Sequence, residues 1–192
     1  MYFWQFIHSL QQNLYWALVT FGLIGLCMGS FLNVLIYRTP LTLMQQWRLG
    51  SVQLLESQPD IPAEVIQPIA KIVQQDLLLS LSTPASHCPH CGQRLRWYHN
   101  IPLLSWIILA GKCAHCEQKI HWRYPLVELS TALLSMLVVY RFGVTLQAVI
   151  ALIFVWTLVG LAGIDWISQY LPDKLTFPLA ALGLAINSEA IL

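Results

Sequence analysis

Two sets of residues in this 192-residue chain have the type and spacing for chemistry: a carboxylate, Asp165, closing a long uncharged run, and four cysteines in two close pairs. Val144 to Ile164 is 21 residues without a charge. That is long enough to cross a hydrocarbon core of roughly 30 Å as a helix, so Asp165 falls at a membrane boundary. A carboxylate there is a solvated end-marker, a hydrogen-bond partner, or a proton-transfer group tuned by half-dry surroundings, and near-membrane carboxylates lean towards function. Cys88-Pro89-His90-Cys91 and Cys113-Ala114-His115-Cys116 are C-x2-C pairs with 21 residues between them. Two residues between cysteines make a tight knuckle, and two knuckles can converge four thiolates tetrahedrally on one Zn²⁺. With all four positions filled by protein no place is left for water, so the predicted zinc is structural. The competing reading, a pair of redox dithiols, lacks the strand-then-helix context of such motifs. His87, His90, His99, His115 and His121 crowd the same region and receive no role, and Cys27 reads as an apolar filler.

The elements that must position these groups are membrane helices. Residues are 57% hydrophobic and only 10% charged, with a mean hydropathy of +0.61, whereas soluble domains carry about 25% charged residues. No Lys/Arg-rich run with interleaved aromatics points to nucleic acid. Eight of the ten Lys and Arg lie between Tyr37 and Tyr124, which by the positive-inside tendency makes that segment cytoplasmic and the N-terminus external. Cysteine pairs in a reducing compartment favour metal over disulfides.

In chain order, the residues before Leu14 read as an interfacial approach to the membrane, with no basic region or cleavage site of a removable signal peptide. Leu14 to Tyr37 is the expected first crossing, in which Gly25 and Gly29 form a G-x-x-x-G pair for close helix packing. Asn33 in that helix needs a hydrogen-bond partner. Ala63 to Leu81 reads as an amphipathic helix, kinked or shortened at Pro68, that either packs on a domain core or lies on the inner leaflet. Ile101 to Ala110 is apolar but too short to span, and either forms the core of the small domain or dips against the membrane. Leu126 to Tyr140 is the expected second crossing, with Glu128 near its start favouring the positive end of the helix dipole. Val144 to Ile164 is the third and Leu175 to Leu192 the fourth.

The expected fold is mainly α: a polytopic helical membrane protein with a small cytoplasmic zinc-binding domain inserted between the first and second transmembrane helices. The expected divisions are residues 1–37, an N-terminal segment and first crossing; 38–123, the cytoplasmic domain; and 124–192, membrane helices carrying half of a site.

Three separated blocks read together: Gly29-Ser30-Phe31-Leu32-Asn33-Val34 running on to Arg38; Asn100-Ile101-Pro102-Leu103 with Ser105, leading to Arg123-Tyr124-Pro125-Leu126-Val127-Glu128; and Ile164-Asp165 with Leu171-Pro172-Asp173. In this order the chain resembles the N-terminal part of the bacterial prepilin peptidases, or type IV leader peptidases. The resemblance implies an aspartic endopeptidase of the inner membrane that removes the leaders of type IV prepilins and type II secretion pseudopilins after a glycine. It implies N-methylation of the new N-terminus with S-adenosylmethionine in many members, and identifies Cys88, Cys91, Cys113 and Cys116 with the family's zinc site. The family's first catalytic aspartate falls on Asp165 and not on Asp173. Its second belongs to a Gly-x-Gly-Asp motif, and no G-x-G-D occurs in these 192 residues. The expectation is therefore a truncated prepilin peptidase lacking its second catalytic Asp. The alternative is a non-catalytic membrane zinc module that binds pilins or secretion components.

Overall fold

Asn13 divides the first two helices, its side-chain oxygen accepting from the backbone N–H of Tyr15 and Trp16 at 3.1 and 3.4 Å. In the computed structural model, which describes residues 2–75, 85–88 and 90–190, α1 (Tyr2–Gln12) precedes this cap and α2 (Leu14–Glu56) follows it. α2 does not end at Tyr37, where the sequence reading stopped the first crossing. It runs for 43 residues, roughly 64 Å at about 1.5 Å per residue. Pro40 lies inside it, and on the next turn the Thr42 hydroxyl donates to the carbonyls of Arg38 and Thr39, both at 2.9 Å. The half beyond the apolar stretch is held by α3 (Ala63–Gln75), whose Ile66 and Ala70 pack on Val52. Pro68 sits within α3 without ending it. Residues 76–81 of the expected amphipathic helix lie outside those described.

The membrane bundle consists of α2, α5 (Arg123–Phe142) and α6 (Leu146–Ser168), each long and apolar enough to cross a bilayer. This is a multi-pass membrane protein. α7 (Asp173–Ala190) is a helix but not one of these spans. Asp173, Lys174 and Glu189 put three charges into these 18 residues, and the expected fourth crossing, Leu175 to Leu192, runs on past the described residues. Thr145 caps α6 by accepting from the Ala148 N–H at 3.2 Å.

Small residues set the helix spacing. A Cβ added at Gly25 would lie 2.7 Å from Ala132 Cα, and one at Gly29 2.6 Å from Glu128 Cα, so the G-x-x-x-G face brings α2 against the backbone of α5. On α6, Gly160 and Gly163 instead leave room for α2 side chains, Leu32 and Leu35 at the first and Ile36 at the second. At one end of the bundle Leu32, Ile36, Val127 and Ile164 form a buried cluster, and at the other Leu10, Ala17 and Val139 do. Trp156 Nε1 donates to Ser135 Oγ at 2.9 Å, a hydrogen bond between α6 and α5.

This packing predicts a sharp asymmetry between two glycines of one helix. Gly29→Val is expected to destabilise the protein by about 3 kcal/mol, because backbone cannot rotate out of the way of the new side chain. Gly50→Ala, with nothing within 4 Å, should be neutral or stabilising by up to about 1 kcal/mol. Thermal unfolding of both variants in detergent checks the pair, and equal melting temperatures would contradict the packing argument.

Candidate functional site

The two cysteine pairs fold into the same local structure. In the first knuckle Cys88 N–H donates to the Gln93 carbonyl at 3.0 Å and Gly92 N–H returns to the Cys88 carbonyl at 2.9 Å. In the second, Cys113 N–H donates to Gln118 at 2.9 Å and Glu117 N–H to Cys113 at 3.0 Å. Each is closed by an isolated antiparallel bridge, His87 with Arg94 and Lys112 with Lys119. Both turns need a left-handed residue one place after the second cysteine: Gly92 at φ +67° and Glu117 at φ +55°. The four Sγ atoms lie within 4.8 Å of one another, and Cys88 Sγ is 3.8 Å from Cys116 Sγ. A tetrahedral site with metal–sulfur bonds of about 2.3 Å needs sulfur separations of about 3.8 Å, so the donor set can hold a metal ion with little adjustment.

The thiols differ in readiness to lose their protons. Backbone N–H groups of Cys116 and His115, together with the neighbouring thiols, hold Cys113 down to about 7 despite its burial. For Cys116 the backbone N–H of Gln118 favours the thiolate, but desolvation and the other three sulfurs outweigh it and push the group up to about 11.

The cysteine domain is pinned to the bundle through Leu103. The 3₁₀ turn Trp97–Asn100 leads into α4 (Leu104–Ile108) through Leu103, whose φ of 57° and ψ of −47° lie outside the usual regions for a side-chain-bearing residue. Leu104 N–H bonds the Pro102 carbonyl at 2.6 Å, making Leu103 the centre of a strained γ-turn. What holds it is Glu128: its Oε2 accepts from Leu103 N–H at 2.8 Å, and the Ser30 hydroxyl serves the same carboxylate. Asn33 Nδ2 donates to the Tyr124 carbonyl at 3.0 Å, the interhelical bond its position demanded. The sequence blocks at Gly29–Asn33, Asn100–Leu103 and Arg123–Glu128 thus meet around one buried carboxylate. Sequence reading gave Glu128 only a helix-start role, because a bond to a residue 25 positions earlier leaves no local pattern.

Asp165 lies at this same end of the bundle, in the last turn of α6. Its neighbours fix it: Ile164 is fully buried against Leu32, Ile36 and Val127, and Gly163 lies on Ile36. Gln169, at φ 51°, ends the helix with its N–H on the Asp165 carbonyl at 2.8 Å. The Asp165 side chain is exposed, and among the described residues its carboxylate has no hydrogen-bond or ion-pair partner. Asp173 is exposed in the first turn of α7, beyond the buried Pro172. The two carboxylates sit on separate helices, α6 and α7. The loop between them is braced by Tyr170, whose ring meets Trp47 of the α2 extension edge-on at 5.0 Å between centroids. That contact depends on α2 running on past its apolar stretch.

The family model described as the bacterial peptidase A24 N-terminal domain matches residues 23–142, from within α2 through the cysteine domain to the end of α5. The chain belongs to the bacterial A24 peptidases. Proteins named prepilin leader peptidase/N-methyltransferase are similar to it over most of its length: that of Stutzerimonas stutzeri is 42% identical over 165 residues, which are 86% of this chain and 53% of that protein. The Pseudomonas putida protein is 38% identical over 187 residues, 97% of this chain and 59% of its own length. The Legionella pneumophila protein is 35% identical over 186 residues, covering 96% of this chain and 60% of that protein. The chain therefore spans between half and three fifths of the length of these A24 relatives. α6 and Asp165 lie past the end of the matched domain but within the stretch shared with the P. putida protein. No solved structure matches the chain.

Proposed function

We propose that this chain supplies one half of a prepilin leader peptidase site, with Asp165 as one carboxylate of an aspartyl dyad. The observation that carries the reading is the placement of Asp165: an exposed carboxylate, rigidly based on Gly163 and Ile164, at the bundle end that also bears the cysteine domain. A membrane-anchored substrate presents its scissile bond at such a boundary, with its apolar helix in the lipid and its leader in water. Aspartic proteolysis uses two carboxylates sharing a proton, one drawing it from water while the other donates to the substrate carbonyl. The partner carboxylate is assigned to a segment outside these 192 residues, since Asp173 opens a separate helix and no Gly-x-Gly-Asp is present.

In this reading the substrates are prepilins and pseudopilins, the membrane is the bacterial inner membrane, and the cysteine domain faces the cytoplasm, as the clustering of Lys and Arg favours. Cys88, Cys91, Cys113 and Cys116 hold a structural zinc ion, which when bound ties the two knuckles together and does no chemistry on substrate. The second activity in the relatives' names would bring S-adenosylmethionine as a cofactor.

The test is to extend this chain with the segment that the P. putida relative carries beyond the shared stretch, reconstitute the product in vesicles, and follow a prepilin by mass spectrometry. Release of the leader by the extended protein is the expected result. A folded, metal-loaded extended protein that binds prepilin yet leaves its leader intact would instead make the chain a non-catalytic membrane module.

A further inference from the structure

Among the described residues nothing covers the apolar tip of the cysteine domain. α4 is a five-residue helix whose Leu104, Ile107 and Ile108 are 57, 65 and 79% exposed, and none of them belongs to a core cluster. Three large aliphatic side chains on one short helix are an unusual face to leave in water. We propose that α4 is a membrane-interface anchor, seated by Leu104, Ile107 and Ile108 in the headgroup and acyl boundary of the leaflet at which α5 begins.

Its depth is set by the Glu128 bond. Leu103, directly before α4, is tied at 2.8 Å to a residue five places into α5, roughly 7 Å along the helix from Arg123 at about 1.5 Å per residue. That is the depth, about 5–10 Å, at which amphipathic segments lie in a bilayer. Trp122, 60% exposed at the helix start, suits the level of the headgroups. Around Glu128 the bundle exposes Phe31, Leu126 and Leu129, and the Leu103 bond holds the start of α4 at the level of this apolar surface. Notably the strained γ-turn at Leu103 is what turns the chain at that depth.

Charge provides an independent argument. Lys112, which follows α4 and bonds back to the Leu109 carbonyl, stands directly opposite Lys119 in the antiparallel bridge. Like charges directly opposite are destabilising. Anionic headgroups beside the tip would neutralise both, as basic residues next to membranes commonly find. The inference rests on α2 and α5 crossing the membrane and is independent of the peptidase reading.

The test places a diazirine-bearing amino acid at Ile108 or, as a control, at Gln58 between α2 and α3 beyond the bundle. The full 192-residue chain is reconstituted in nanodiscs of phosphatidylethanolamine and phosphatidylglycerol and illuminated, and the adducts are weighed. Phospholipid-mass adducts at Ile108 at least about tenfold above those at Gln58 are expected. Addition of water alone at Ile108 would overturn the proposal. So would cross-links to polypeptide, which would assign the face to a second copy or another protein.

Discussion

In the extended, cleavage-competent protein, Asp165→Asn is expected to slow leader removal by at least about 10³-fold while leaving the melting temperature unchanged within error. The two halves of this expectation come from different observations. The side chain is exposed and has no partner among the described residues, so asparagine of nearly the same shape disturbs no packing and leaves no buried group unpaired. This turn is seated instead by Gly163 and Ile164, the two residues before Asp165, which the substitution does not touch. The loss in rate follows from the chemistry: an amide can neither accept a proton from water nor share one with a second carboxylate. Asp173→Asn provides the contrast. Asp173 lies in the first turn of α7, where a negative charge adds about 0.3–1 kcal/mol through the helix dipole. Its replacement should therefore cost a little stability and less than tenfold in rate. An Asp165→Asn protein that retains a tenth of the wild-type rate would remove Asp165 from the dyad.

What could be read from the sequence, and what could not, divides along a physical line. Features written in local spacing were legible. The C-x2-C pairs predicted converging thiols, the glycines at 25 and 29 predicted a close helix face, and the uncharged run before Asp165 predicted a helix ending at the membrane boundary. Features set by long-range contact were not. α2 was expected to stop at Tyr37 because apolarity stops there, yet hydropathy marks the edge of a membrane, not the end of a helix. The packing of Val52 on Ile66 and Ala70 carries the helix to Glu56. Similarly, nothing local tells that Glu128 will accept a hydrogen bond from Leu103, or that Trp47 will meet Tyr170.

Metal removal should have the largest effect on stability, and the reason lies in what the cysteine domain lacks. Between Ser86 and Trp122 the buried hydrophobic residues are only Cys88 and Cys113, among those described. The regular pairing there amounts to two isolated bridges, a 3₁₀ turn and one short helix. A segment of this size without an apolar core does not hold its shape by burial alone. In the proposed zinc-bound form the metal–thiolate bonds supply the cohesion, and structural zinc in small peptides contributes an apparent 10–16 kcal/mol, order of magnitude, near neutral pH. Purified protein is therefore expected to hold about one zinc per chain, and Cys88→Ser or Cys113→Ser should each abolish it. Stripping the metal with a strong chelator under reducing conditions should expose amides of the knuckles to rapid hydrogen exchange. The α2, α5 and α6 amides should stay protected, because their packing passes through Gly25, Gly29 and Gly163 and not through the cysteines. Protons compete with the metal for thiolates, so the apparent affinity should rise with pH. Cys113, held down to about 7, is the thiol most ready to ligate, whereas Cys116, pushed up to about 11, must surrender its proton to the incoming ion. Acidification well below the Cys113 value should accordingly release metal, because the bound ion holds its thiolates deprotonated far beneath their metal-free range, and restoring the pH should recover it. Knuckle amides that exchange equally slowly with and without metal would mean that the domain is held by something other than its four sulfurs.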